Sequence, residues 1–324
     1  MFSWSLRKEK FRIREMKSQD IEKAREIAQD AWSDMATRDV GRKVIYPMRS
    51  EKIIEAYIWK EPHGCFVAEV CGGIVGAAYS HAWGGMGWIG PLEVLPEFQN
   101  RGIGRALLSE CENFLRRSGC EVIGVETMSH IPKNLHFYLS QGYRPDALTL
   151  IAEKPIVEKQ PLNLGEDCEI EEVRNDPMSI KEAVRTIGSK IFAGLDPFKD
   201  IDMIVEKKLG SVFVWRMKRQ ILGFALLHTY LKEEEGDYAS IRLVLIDPDY
   251  SESERAFDAL LRACENESFI SGKKRVFARF PVLNNIIYKK MAMNGYAIKG
   301  ANIRMFKGHS FSQRGDYFIL SLAG

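Results

Sequence analysis

The sequence predicts an α+β (α/β) protein of two similar units in tandem. Three observations carry this. Strand-like runs alternate with amphipathic helical stretches along the whole chain. The order of elements in the first half returns in the second. At 324 residues the chain is long enough for about two domains. The expected boundaries are 1–155 and 168–324, with 156–167 as a linker.

Phe11-Arg12-Ile13-Arg14 alternates as a strand. Ser18 can cap the next helix, whose buried face is Ile21, Ala24, Ile27, Ala28, Ala31 and Trp32. Glu51 to Trp59 reads as a second helix. Cys65 to Val70 and Ile74 to Ser80 form a hairpin around Cys71-Gly72-Gly73. Trp88 to Leu95 is a strand that leads into a glycine loop and a helix. That helix carries the apolar stripe Leu107, Leu108, Cys111, Phe114 and Leu115 and stops at Ser118-Gly119. Val122 to Thr127 is a strand, Lys133 to Ser140 a short helix, and Gly142-Tyr143 opens a last hairpin. Pro155 to Asp167, with two prolines, a glycine and several charges, reads as a linker. The order then repeats: a strand at Glu169–Val173, helices at Ile180–Phe192 and Pro197–Leu209, and a hairpin from Val212–Arg216 to Ile221–Tyr230. A strand at Ile241–Ile246, a helix at Ser253–Cys264, a strand at Val276–Arg279 and a helix at Asn284–Met293 follow, then Gly295-Tyr296.

Bulk composition excludes several classes. A net charge of +2 gives no push toward nucleic acid or a membrane surface. Six cysteines form no C-x-x-C pair and no zinc-like set with histidine, so buried thiols in a reducing compartment are expected, without a metal. No apolar run approaches the ~20 residues of a membrane span. Met1 to Lys8 lacks a signal-peptide core. A cytoplasmic protein is expected.

The most informative stretch is Val94 to Leu108. Asn100 to Gly104 would leave unpaired backbone N–H groups at a helix start, which attract an anion. Gly102 and Gly104 admit a phosphate close to the backbone, and Arg101 and Arg105 add positive charge. A dinucleotide loop would need a third glycine where Leu107 stands, and Pro96-Glu97-Phe98 intervenes after the strand. The other pattern is Gln-x-x-Gly-x-Gly opening a helix, after a strand ending in Val-x-Pro-Glu. It resembles the acyl-CoA loop of the Gcn5-related N-acetyltransferase (GNAT) superfamily, and the element order over residues 11–153 resembles that fold, a mixed, mostly antiparallel sheet flanked by helices.

The resemblance implies acetyl-CoA as co-substrate and direct acetyl transfer to a primary amine in a ternary complex. Gln99, Asn100, Arg101, Gly102, Ile103, Gly104, Arg105 and Ala106 would hold the pyrophosphate. The backbone of Leu92 and Val94 would hold pantetheine, with an oxyanion donor near Val94. Tyr138, ahead of Gly142-Tyr143, matches the family's short-helix tyrosine and is the expected acid. The asparagine often found seven positions earlier is Ile131 here. Glu126, a carboxylate in an apolar strand, must be paired or useful. It resembles the strand glutamate of ribosomal-protein-type N-acetyltransferases and is the first candidate base. Glu93 is the second, and water can replace both. His63, His81, His130 and His136 read mostly as surface or loop residues. Trp83, Trp88 and the glycines between them either wall an acceptor pocket or form a plain hairpin.

In the second half, Pro248-Asp249-Tyr250 matches Pro96-Glu97-Phe98, but Ser251 to Ala256 replaces the glycine loop with two glutamates. The unit is therefore expected to lack cofactor binding, whether it is a drifted repeat or an unrelated domain of similar order. The acceptor, a small-molecule or peptide amine, carries no sequence code. Monomer and homodimer are both open. So are an acyl-CoA sensor without turnover and a tandem transferase using another acyl donor.

Overall fold

The computed structural model describes residues 10–230, 236–283, 285–308 and 313–321. The Met1 to Lys8 stretch and the first residue of the expected helix at Asn284 lie outside them. The first half contains β1 (Phe11–Glu15), α1 (Ile21–Val40), α2 (Glu51–Lys60), β2 (Cys65–Val70), β3 (Gly73–Trp83), β4 (Met86–Val94), α3 (Ile103–Arg117), β5 (Val122–Met128), α4 (Pro132–Ser140) and β6 (Arg144–Pro155). The second contains β7 (Cys168–Glu172), α5 (Lys181–Ile191), α6 (Phe198–Lys207), β8 (Gly210–Met217), β9 (Gln220–His228), β10 (Tyr238–Ile246), α7 (Ser253–Ile270), β11 (Arg275–Pro281), α8 (Asn285–Met293), β12 (Ala297–Gly308) and β13 (Ile319–Leu320).

All strands join one sheet, in the order β1-β2-β3-β4-β5-β12-β6-β11-β10-β9-β8-β7, with β13 paired to β10. The order shows an exchange. β12 of the second half lies between β5 and β6 of the first, and β6 lies between β12 and β11. The hairpin expected after Gly142-Tyr143 is therefore not formed; both neighbours of β6 come from the second half. The two seams are equivalent, since Val122↔Gly308 and Glu126↔Arg304 at one match Arg275↔Pro155 and Arg279↔Ile151 at the other. The Tyr143 N–H donates to Tyr138 O at 3.2 Å, and the Tyr296 N–H donates to Met291 O at 3.1 Å. In this register Met291 stands in the place of Tyr138 and Arg279 in that of Glu126.

One apolar core unites the helices of both halves, with Ile54 of α2, Ile187 of α5 and Ile204 of α6 packed with Trp88 and Phe224 of the sheet. On the other face α3 covers the first half through Leu107, Leu108 and Cys111, and α7 covers the second through Phe257, Leu260 and Leu261. Ion pairs cross the interface: Lys60 donates to Asp200 at 2.9 Å and Lys199 to Glu61 at 3.0 Å. The Gly84-Gly85 turn docks on the second half, where a Cβ on Gly84 would lie 2.3 Å from Gly194 O. Four cysteines are buried as expected, whereas Cys71 is exposed in the β2–β3 turn and Cys168 is half-buried. Among the described residues no helix is long and apolar enough to cross a membrane.

The β5–β12 seam is sealed by charge. The Arg304 Nε donates to Glu126 Oε2 at 3.2 Å, the Asn302 amide donates to Glu126 Oε1 at 3.0 Å, and both side chains of the ion pair are 0% exposed. Removing one partner strands a charge in the core, which typically costs about 3–5 kcal/mol, whereas replacing both with apolar side chains is often near neutral. Arg304→Ala is expected to lose stability of that size in urea unfolding of the full chain, and Glu126→Leu with Arg304→Met to recover most of it.

Candidate active site

The site begins with an irregularity in β4. Ala78 pairs with Leu92 and Ser80 with Ile89, so β4 carries one extra residue at Gly90-Pro91. A bulge bends the strand that carries it, and Pro91 has no N–H to give a ladder. The parallel β4–β5 ladder accordingly stops at Trp88↔Gly124. Beyond it Ile89–Val94 and Val125–Met128 diverge, and a gap opens in the sheet. A Cβ on Gly124 would lie 2.1 Å from the Trp88 ring, so only glycine lets that ring cover the point of divergence. Trp83 and Trp88 are core residues; the segment between them is a hairpin turn.

The edge of β4 that faces the gap is unpaired. The Leu95 N–H bonds Val75 O at 2.9 Å, so by alternation the N–H groups of Leu92 and Val94 turn away from β3 and toward the gap. Val94 O already accepts the Gln99 amide at 2.9 Å, and Gln99 Oε1 accepts Lys133 Nζ of α4. Gln99 thus ties the loop to both walls of the gap.

α3 starts under this opening. Gly102, its N-cap, has φ +89°, a region that glycine enters without strain, and no side chain caps the helix. The first-turn N–H groups, which a helix does not use internally, face the end of the gap. Ile103 is buried there and Ala106 is half-buried. Arg105 and Asn100 are exposed, Asn100 with φ +62°. Arg101 folds back, donating to Glu97 O at 2.8 Å and lying 5.0 Å from the Phe98 ring centre. Lys133, which spacing did not single out, supplies charge from the opposite wall. Phe137 closes over the first turn, 3.7 Å from the position of a Cβ on Gly104.

The walls carry different chemistry. On the α3 side, Tyr138 packs against Phe137 and Tyr143 at 5.0 and 5.8 Å between ring centres, and its hydroxyl makes no hydrogen bond with the described residues. Burial raises its pKa, and the charges of Cys111 and Glu93 push the same way. On the α1 side, Glu93 is buried. Its Oε1 accepts Trp32 Nε1 at 2.9 Å and Arg49 Nη2 at 2.7 Å, and its Oε2 accepts Arg49 Nη1 at 3.3 Å. The structure therefore brings Glu93 and Tyr138 to opposite sides of one gap. Glu126, expected as the first candidate base, has both oxygens taken at the β12 seam. Trp32 and Arg49 had no signal in spacing; an arginine before a helix is unremarkable until its carboxylate is known.

A buried polar tract continues from Glu93 past Tyr57 toward the second half. Arg49, Glu93, Arg242 and Asp200 all act on the Tyr57 hydroxyl. At its far end Asp200 accepts Lys60 and the Trp83 indole. A cavity with room for about one water lies beside Asp200, His228 and Arg242. His81 corrects the surface expectation: it is 3% exposed and bonds Gly90 O through Nε2 at 2.8 Å. His130 meets Asp39 at 3.2 Å across the mouth of the α1 side, and His63 and His136 are exposed. Among the described residues no cluster of His, Cys, Asp and Glu could hold a metal ion.

Residues 22–143 match the model of the acetyltransferase (GNAT) family. The first half of the chain is thus similar to that family. An uncharacterized N-acetyltransferase of Methanocaldococcus jannaschii is 29% identical over 156 residues, 44% of this chain and 92% of that one. In fold, the whole chain is similar to a candidate acetyltransferase of Pyrococcus horikoshii, with TM-score 0.68 and 18% identity over 97% of this chain and 94% of that one. It is also similar to a tandem GNAT protein from the clavulanic acid biosynthesis pathway, with TM-score 0.57 and 12% identity over 94% of this chain and 100% of that one.

The two buried histidines make stability pH-dependent. Burial pushes both His81 and His228 down to about 3, helped by the charges of Lys60 and Arg242 respectively. The unfolded chain then binds more protons than the folded one between pH 6.5 and about 3, so stability falls as the pH falls through that window. Between pH 6.5 and 5 the expected loss is about 2 kcal/mol per histidine. Urea midpoints across that range measure it, and His228→Leu is expected to remove roughly half of the sensitivity.

Proposed function

We propose that the chain is a GNAT-type N-acetyltransferase whose first half binds acetyl-CoA in the β4–β5 gap and transfers the acetyl group directly to a primary amine. The observation that carries this reading is the opening of the gap over the uncapped start of α3, with free strand N–H groups on its β4 edge. The α3 first turn, with Gly102, Ile103, Gly104, Arg105 and Ala106, holds the pyrophosphate, and Lys133 joins it through Gln99. The Leu92 and Val94 N–H groups meet pantetheine, and Val94 N–H is the donor for the oxyanion.

Tyr138 is the acid in this reading. Its unbonded hydroxyl, kept protonated by burial, gives its proton to the leaving thiolate as the C–S bond breaks. The amine enters from the α1 side, past Trp32, Arg49 and Glu93. Water removes the ammonium proton, because Glu93 and Glu126 both hold arginines. We assign Glu93 to the wall of the acceptor side and Glu126 to the seam. The second half takes no cofactor in this reading, since Glu252 and Glu254 stand where an anion would sit.

Calorimetric titration of the full chain is expected to give one acetyl-CoA site. Gly104→Glu should weaken that binding at least tenfold while leaving the fold intact, because an acid suits a helix start but repels an anionic ligand. Tyr138→Phe should lower kcat by about 10²-fold with little change in KM for acetyl-CoA. Unaltered binding in the first variant, or full turnover in the second, would refute the corresponding role.

A further inference from the structure

The second half has a gap of its own. Ile241 pairs with Leu227 and Leu243 with Leu226, so β10 carries an extra residue at Arg242. The parallel β10–β11 ladder runs from Tyr238↔Arg275 to Ile241↔Ala278 and ends there. This mirrors the bulge and divergence of β4. In the first half no strand of the described residues enters the opening. In the second it is filled. β13 pairs antiparallel with β10, Ile319 opposite Val244 and Leu320 opposite Leu243, while β9 holds the other edge of β10. The Ser321 N–H extends the ladder to Arg242 O at 2.8 Å.

The path of the segment is as telling as its end. Arg314 binds Asp249 at 2.8 Å, just before α7. Gly315 lies against Pro248, and the Tyr317 ring is 6.0 Å from that of Phe257 in the first turns of α7. Residues 314–321 thus run from a helix start into the gap between two diverging strands. Ile319 enters the core under α7, and Leu320 enters the core shared by the helices on the other face; they are 0% and 1% exposed. The Leu320 carbonyl accepts the Arg304 guanidinium, which also holds Glu126 of the first half.

We propose that the second gap is a peptide-binding site whose ligand is the chain's own segment 314–321, lying along the route that acyl-CoA takes in the first half. The description of that route rests on the functional reading above; the peptide site does not. Strand addition supplies main-chain hydrogen bonds, and two apolar side chains on alternate faces supply specificity. Occupation also covers the edge that β10 would otherwise expose. The segment completes the second half and closes it to acyl-CoA.

Ile319→Asp with Leu320→Asp in the full chain tests this by hydrogen exchange. Amides of β10 are expected to exchange at least tenfold faster in the variant. Adding a synthetic peptide of sequence QRGDYFILS in excess is expected to restore protection, while the same peptide with aspartate at the two positions is not. Unchanged exchange in the variant would overturn the proposal. So would faster exchange that the peptide fails to reverse, since that is loss of fold and not an emptied site. If the aspartates unfold the chain, Ile319→Ala with Leu320→Ala is read in the same way. Acetyl-CoA takes no part in these measurements, so a chain that bound none would sink the functional reading and leave this one standing.

Discussion

Because β12 bonds to β5 on one edge and to β6 on the other, neither half can finish its sheet without the other. Everything else in the molecule is arranged around that exchange. It makes one continuous sheet from two repeats and lets one apolar core run beneath α1, α2, α5 and α6. It also fixes where charge can sit. Glu126 and Arg304 lie on adjacent strands of different halves, and each would be an isolated ion in an apolar interior without the other.

The same device, a bulged strand parting from its parallel neighbour, occurs twice and has two outcomes. In the first half the strands part over a helix start that begins with Gly102, and the free N–H groups on the β4 edge face open space. In the second half the strands part and the chain fills the space with its own residues. The charges agree with this division. Lys133 and Arg105 border the first helix start, whereas Glu252 and Glu254 border the second. The two halves share an order of elements, and their clefts differ: β13 occupies the second.

What could be read from the sequence was local. The glycine loop, the α3 stripe, the β2–β3 hairpin and the order of elements depend on spacing within a few turns of chain, and they stand where the pattern put them. The long-range pairings could not be read. Val122 to Thr127 is evidently a strand, but nothing in it names a partner 178 residues away. Glu126 stands out in the sequence as a carboxylate in an apolar strand, and in the structure it pairs with an arginine of another strand. A usable signal existed: Arg304 also stands between apolar neighbours, Ile303 and Met305, and two such ions of opposite sign are candidates for one pair. His81 lies between Ala77-Ala78-Tyr79 and Ala82-Trp83, an apolar setting that fits its burial better than an exposed turn does. The β4 bulge at Gly90-Pro91 could have been suspected, since proline inside a strand demotes regular pairing.

The strand exchange also imposes an order of events on synthesis. As the ribosome extends the chain, β5 emerges with its outer edge bare, and its partner in the finished sheet is not β6 but β12. The missing strand is made roughly 150 residues after β6, a delay on the order of ten to thirty seconds at ordinary elongation rates. During that interval the first half carries an open sheet edge and an unneutralised glutamate. A nascent-chain chaperone, or fast folding of the second half as it appears, would therefore matter more for this protein than for a single-unit relative that closes its own sheet.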